Sequence, residues 1–187
     1  MGKYLFTLLI MFAALSGCKR NDAEQAVKEL MGKTISFEWD KTFISCDTVI
    51  DDINHQLQPI KIVTHMDETS CIPCINTYIT FASDILREYG YTEDSIKYYI
   101  ILHRTQKEAV DCFDRKTIPF IVLVNDINDV YLEKNGLDSY ESMYTTFLLN
   151  EKDEIVVIGD PLRSLGVRRL YFSKIDELLD NIATNSD

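Results

Sequence analysis

The sequence predicts an α/β sandwich with a central mixed β-sheet, and three observations lead to it. Short apolar runs suited to strands occur at 60–66, 96–102 and 120–124, spaced by helical segments at 75–89 and 106–114. Two more apolar runs, Thr145–Leu149 and Ile155–Ile158, flank the polar stretch NEKDE, as the arms of a hairpin flank its turn. A final apolar stripe, Ile175, Leu178, Leu179 and Ile182, marks a closing helix over 173–182. Strand–helix–strand–helix followed by hairpin and helix implies parallel strands with helices on their faces, then antiparallel ones.

The elements follow in order. IKIVTHM, residues 60–66, reads as a strand through Ile60, Ile62 and Val63, and Asp67, Glu68, Thr69 and Ser70 form a short loop after it. Beyond two cysteines, Ile75, Tyr78, Ile79, Ala82, Ile85, Leu86 and Tyr89 recur at spacings of three and four, the stripe of a helix packed on one side. Gly90 stands where that helix would end. IKYYIIL, residues 96–102, is apolar nearly throughout, which suits a central strand covered on both faces. Strand residues such as Tyr98, Tyr99 and Phe147 are read as core. FIVLV, residues 120–124, is a third short strand.

The first residues, MGKYLFTLLIMFAALSGCKRND, concern location. Lys3 precedes an apolar run, Tyr4 to Leu15, broken only by Thr7, with the length of a signal-peptide core rather than a membrane span. Leu15-Ser16-Gly17-Cys18 resembles the bacterial lipobox, which implies cleavage before Cys18 and acylation of its thiol. The expectation is an exported lipoprotein: residues 1–17 a signal peptide, 18–33 the lipidated cysteine and a tether, and 34–187 the folded domain. The anchor would hold it to a membrane, facing the periplasm or the cell surface.

Charge excludes one class of partner. The chain carries 30 Asp and Glu against 19 Lys and Arg, a net charge of −11. A domain of that sign repels phosphate backbones, so nucleic acid is not an expected partner. Hydrophobic residues at 46% indicate a packed globule, and no repeat or low-complexity tract interrupts it.

The chemistry is concentrated in ETSCIPCIN, residues 68–76. Cys71 falls between a buried strand and the first turn of a helix, with Ser70 placed to act as N-cap. Unpaired backbone N–H groups and the positive helix end favour a thiolate there. Pro73 suits the first turn, where its missing N–H costs nothing. Cys74, one turn in and expected to be the more shielded, is close enough to close a small disulfide. An accessible thiolate that attacks a disulfide, with a second thiol to resolve the adduct, is what exchange requires.

With this pair in place the chain resembles the thioredoxin superfamily, and within it the TlpA-like, membrane-anchored thiol–disulfide oxidoreductases. The resemblance is carried by IKIVTHM, by CIPC at a helix start, and by TTFLLNEKDEIVVIGDPL at 145–162. TIPFIVLVNDINDVYLEKNGL, residues 117–137, looks like the insert of this branch. It implies a thioredoxin-like three-layer sandwich, Cys71 as nucleophile and Cys74 as resolving thiol. The implied partners are thiols and disulfides of exported proteins and an unidentified redox donor, and no cofactor is called for.

The sequence departs from that pattern in three places. The aromatic usual before the first cysteine is Ser70. The cis-proline that faces the dithiol is replaced by Tyr144, before Thr145 and Thr146, while Pro119 offers a competing alignment. A non-proline cis bond costs about 3 kcal/mol, so a trans loop of different shape is expected at Tyr144. The buried acid six residues before the first cysteine is His65, which either relays a proton for Cys74 or is merely structural. Glu68 and Asp67 would raise the Cys71 pKa if they pointed at it, and as loop acids they are otherwise solvated.

Other readings of the cysteines fit less well. A structural zinc site wants a second Cys or His pair, and His55 and His103 are isolated, so no metal is expected. A copper site of two cysteines and one histidine would need His103 to converge on the helix start. Peroxidase chemistry wants a Thr or Ser where Glu68 stands. Cys46 and Cys112 are either a structural disulfide or two buried thiols, which spacing cannot decide. Two functions follow: an exchanging oxidoreductase, or the same fold as a redox-inactive accessory lipoprotein of a surface or periplasmic assembly.

Overall fold

The computed structural model describes residues 23–38, 40–44, 49–50, 59–106 and 119–185. Cys18, Cys46, Cys112 and nearly all of the helix expected at 106–114 lie outside these residues. A short helix α1 (23–30) opens the described chain. Then come strands β1 (Lys41–Ile44), β2 (Val49–Ile50) and β3 (Ile60–Met66), helix α2 (Ile72–Glu88) and strand β4 (Ile96–His103), with a 3-10 turn at Arg104–Gln106. Strand β5 (Ile121–Asp126), helix α3 (Tyr131–Lys134), a 3-10 turn at Ser142–Tyr144, the hairpin β6 (Thr146–Leu149) and β7 (Ile155–Ile158), and helix α4 (Leu165–Asn185) follow.

The strands form one mixed sheet in the order β2-β1-β5-β4-β3-β6-β7. Strands β3, β4 and β5 run parallel, while β6 pairs with β3, β7 with β6 and β1 with β5 in the antiparallel sense. Alternation along the strands assigns their side chains to two cores. Ile62, Tyr98, Ile100 and Leu148 meet Ile75 and Ile79 of α2 and Tyr171 and Ile175 of α4. On the other face Val63, Tyr99, Ile101 and Phe147 meet Ala26 and Leu30 of α1 and Tyr131 of α3. This is the three-layer sandwich the sequence predicts. No helix among the described residues is long and apolar enough to cross a membrane.

Four differences from expectation have physical causes. Phe120 has φ 72°, a left-handed conformation that cannot continue a ladder, so β5 starts one residue later. Strands β1 and β2 are too short for periodicity to reveal, and β1 is held by its pairing with β5. Helix α4 begins eight residues before the expected start, at Leu165, and buries Tyr171 and Phe172. The segment expected as a tether docks on the domain in part, because Ala26 and Leu30 are each 1% exposed. Beyond α1, Gly32 N donates to Ile155 O and Ile155 N to Lys33 O, covering the outer edge of β7.

Helix α2 ends as Gly90 implied. Gly90 has φ 80°, its N–H bonds Arg87 O, and Tyr91 N bonds Leu86 O, a Schellman pair.

Candidate active site

Strand β3 gives way to α2 through four residues organised by Asp67. Its carboxylate accepts from Thr69 Oγ1 at 2.6 Å, Thr69 N at 2.9 Å and Ser70 Oγ at 3.3 Å. The hydrogen bond from the Thr69 hydroxyl is the main reason its pKa lies below the ordinary carboxylate value. Asp67 is therefore engaged in the turn. Glu68, the next residue, is exposed.

The N-cap of α2 is Cys71, not the expected Ser70. Cys71 is extended (φ −72°, ψ 142°) and its Sγ accepts from Cys74 N at 3.2 Å. Ser70 is withheld from the cap because its hydroxyl turns back to Asp67. Pro73 stands in the first turn, as expected. Cys71 and Cys74 are joined as a disulfide with Cα atoms 5.1 Å apart. Both residues are exposed, so Cys74 is not buried behind Cys71. The reason is the docking stripe of α2: Ile75, Ile79, Ala82 and Leu86 face the sheet, leaving Cys74, Tyr78 and Phe81 on its flank.

That flank meets a hydroxyl–carboxylate chain. Tyr78 OH is 2.6 Å from Tyr98 OH and donates to Asp160 Oδ1 at 3.2 Å. The Asp160 side chain, 8% exposed, also accepts from Leu162 N at 2.8 Å and lies 3.2 Å from Arg163 Nε. Burial pushes the phenol pKa values of Tyr78 and Tyr98 well above normal, so both are neutral hydroxyls at neutral pH. Cys74, Thr77, Tyr78, Phe81, Leu162 and Arg163 line a groove of about 490 Å³.

His65 lies in the other layer. It is one residue out of phase with Thr64 and Met66, pairs with Ile101, and stacks on Tyr131 with ring centroids 5.9 Å apart. Its half-buried ring has a pKa below the usual histidine value, chiefly through desolvation. On the α2 side the strand presents Thr64, whose hydroxyl is 2.6 Å from that of Thr146.

Register decides between the two loops. Thr146 pairs with Thr64 near the end of β3, so Tyr144 and Thr145 stand at the sheet end where the dithiol loop begins. Thr145 is buried and donates to Ser142 O at 2.8 Å, and no peptide among the described residues is cis. Pro119 accepts through its carbonyl from Ser83 Oγ at 2.9 Å, three turns along α2 from Cys71, at the opposite end of the sheet.

Gln106 escaped the sequence reading. Its side chain, 3% exposed in total, donates to Asp67 O at 2.6 Å and Ser70 O at 3.2 Å and accepts from His103 N at 3.1 Å. No local pattern signals this. Tyr78 and Asp160 were also missed as site residues, although Tyr78 lies four residues after Cys74, the interval that places two side chains on one helix flank. His103 is engaged by Thr105 Oγ1 at 2.7 Å and Asp129 Oδ2 at 3.2 Å. Among the described residues no three His, Cys, Asp or Glu side chains gather as a metal would need.

No protein-family model matches the chain, and no curated protein matches it. Among solved structures it is similar to a domain assigned as the C-terminal domain of a thiol-disulfide oxidoreductase from Bacteroides thetaiotaomicron. The TM-score is 0.50 at 14% identity, over 79% of this chain and 97% of that one. A conserved protein of unknown function from Bacteroides fragilis gives a TM-score of 0.45 at 9% identity, over 76% and 98%. The first likeness, with the sheet order and the helix that follows β3, establishes a thioredoxin-like fold for this chain.

Proposed function

We propose that the chain is an exported, lipid-anchored thiol–disulfide oxidoreductase that exchanges disulfides of exported proteins through Cys71 and Cys74. The observation that carries this reading is an exposed cysteine pair at the N-terminus of a 17-residue helix, with Cys71 itself as the cap. Helix N–H groups and the helix dipole stabilise a thiolate at that position. In the reduced protein the Cys71 thiolate attacks a substrate disulfide, forming a mixed disulfide and releasing one substrate thiolate, which takes a proton from water. Cys74 then loses its proton and attacks Cys71 Sγ, releasing the second substrate thiolate. Two electrons pass to the substrate, and the Cys71–Cys74 disulfide is reset by an external dithiol donor. The anchor is the acylated Cys18 of the lipobox-like Leu15–Cys18 stretch, and Cys18→Ala is expected to release the protein from membranes.

The test is the reduction potential of the pair, with free thiols trapped by mass in graded glutathione or dithiothreitol. A value between about −270 and −120 mV, with Cys71 alkylated first, supports the oxidoreductase. A value below roughly −300 mV makes the disulfide structural and leaves the accessory-lipoprotein reading in its place.

A further inference from the structure

We propose that the groove beside Cys74 docks partner segments in which the reacting cysteine neighbours a bulky apolar residue and one or more carboxylates. This rests on the exchange reading of the dithiol and names its substrate class. The groove is contiguous with the disulfide through Cys74, and its floor is apolar or hydroxylic. Phe81, on the same helix flank as Cys74, remains 44% exposed although it is a large aromatic.

The charge around it opposes that of the molecule. The chain has a net charge of −11, yet residues 69–83, which hold the dithiol and most of the groove, carry no charge, and 161–175 carry Arg163, Arg168, Arg169 and Lys174 with no acid. Two of these cations are placed at the groove. Arg163 lines it and is 72% exposed in its side chain. The Arg168 guanidinium lies 5.4 Å from the Phe81 ring centroid and is held by Pro161 O at 2.9 Å and Leu162 O at 3.3 Å. No carboxylate among the described residues pairs with it, so it is a fixed cation on an aromatic edge. The buried Asp160 neutralises part of Arg163 and is shared with Tyr78 and Leu162. Glu68, on the loop that enters the helix ahead of Cys71, is exposed. A bound segment therefore has one favourable direction, with its carboxylates toward Arg163 and Arg168 and away from Glu68.

The test compares two disulfide-linked peptide dimers, each with a cysteine next to a leucine, flanked by glutamates in one and by lysines in the other. Reduced protein, freed of reductant, is mixed with each, and the rate of Cys71–Cys74 disulfide formation is followed. Net charge alone favours the lysine peptide, so the two explanations predict opposite signs. The expected result is that the glutamate peptide reacts about tenfold faster at low salt, with the difference largely lost near 0.5 M salt. Arg163→Glu lowers the rate of the glutamate peptide toward that of the lysine peptide, and Phe81→Ala slows both by removing the apolar contact they share. Exchange with oxidised dithiothreitol is unchanged in both variants. Equal rates, or a faster lysine peptide, with normal dithiothreitol exchange overturn the docking proposal alone. Failure to exchange with any disulfide, dithiothreitol included, overturns the oxidoreductase reading and this proposal with it.

Discussion

Gln106 donates from Nε2 to the carbonyl oxygen of Asp67 at 2.6 Å, tying the end of β4 to the loop that delivers Cys71. The same amide reaches Ser70 O, and its oxygen accepts from His103 N. Gln106→Leu keeps the size and removes all three bonds from a buried position. We expect a loss of about 1–3 kcal/mol, read as a lower urea midpoint at unchanged m-value.

His65 faces the layer opposite α2, which makes the relay role testable. His65→Leu is expected to keep the exchange rate within about twofold, because no step of the dithiol passes through that layer. Acid stability is where the residue is felt. Its folded pKa lies below the ordinary 6.5, so below that pH the unfolded chain binds a proton that the native ring resists. Stability is then lost as pH falls from 6.5 through the folded value. Chemical denaturation at stepped pH should show this component in the wild type and lack it in the variant.

Five tyrosines respond to alkali in the opposite sense. Tyr78, Tyr91, Tyr98, Tyr131 and Tyr171 all have pKa values raised above 10, with burial the first cause in each. In the unfolded chain they ionise near 10, so above that pH the native state holds protons that the unfolded state has lost. Each of the four deeply buried groups, Tyr78, Tyr98, Tyr131 and Tyr171, lowers stability by about 1.4 kcal/mol per pH unit above 10, and the more exposed Tyr91 contributes less. Ultraviolet titration of phenolate should show these groups ionising together, in a cooperative step coincident with unfolding by circular dichroism.

Leu30 links the N-terminal helix to the second core at 1% exposure. Leu30→Ala is expected to cost about 2–4 kcal/mol, the range for a truncated core leucine. A chain starting at residue 34 should be less stable than one starting at 19 by at least as much, measured by thermal unfolding. Equal stabilities would show that α1 adds nothing to the domain.

The elements legible in the sequence were those whose burial pattern is local. Strand β3 and the β6–β7 hairpin follow from apolar runs punctuated by polar turns, and Asn150 confirms the turn by accepting through Oδ1 from Lys152 N and Glu154 N. Strands β1 and β2, of four and two residues, carry no such pattern. The first half of α4, LGVRRLYF, mixes adjacent arginines with apolar residues, and only packing on the sheet selects its buried side through Tyr171 and Phe172.

What the sequence determined by itself is the dithiol and its place at the start of a helix. A spacing of three at a helix start brings Cys71 and Cys74 within bonding reach whatever the rest of the chain does, because one turn of helix sets the distance. The acidic balance and the cation-rich stretch 161–175 were likewise present in the residue order. The tertiary structure alone decided which groups surround the pair. That Tyr144 and not Pro119 stands at the dithiol end, that His65 turns to Tyr131, and that Asp160 reaches Tyr78 all depend on strand register and layer assignment. A shift of one residue in a strand exchanges its two faces, and register is set by pairing between segments as far apart as Thr64 and Thr146. Local spacing holds no record of that choice.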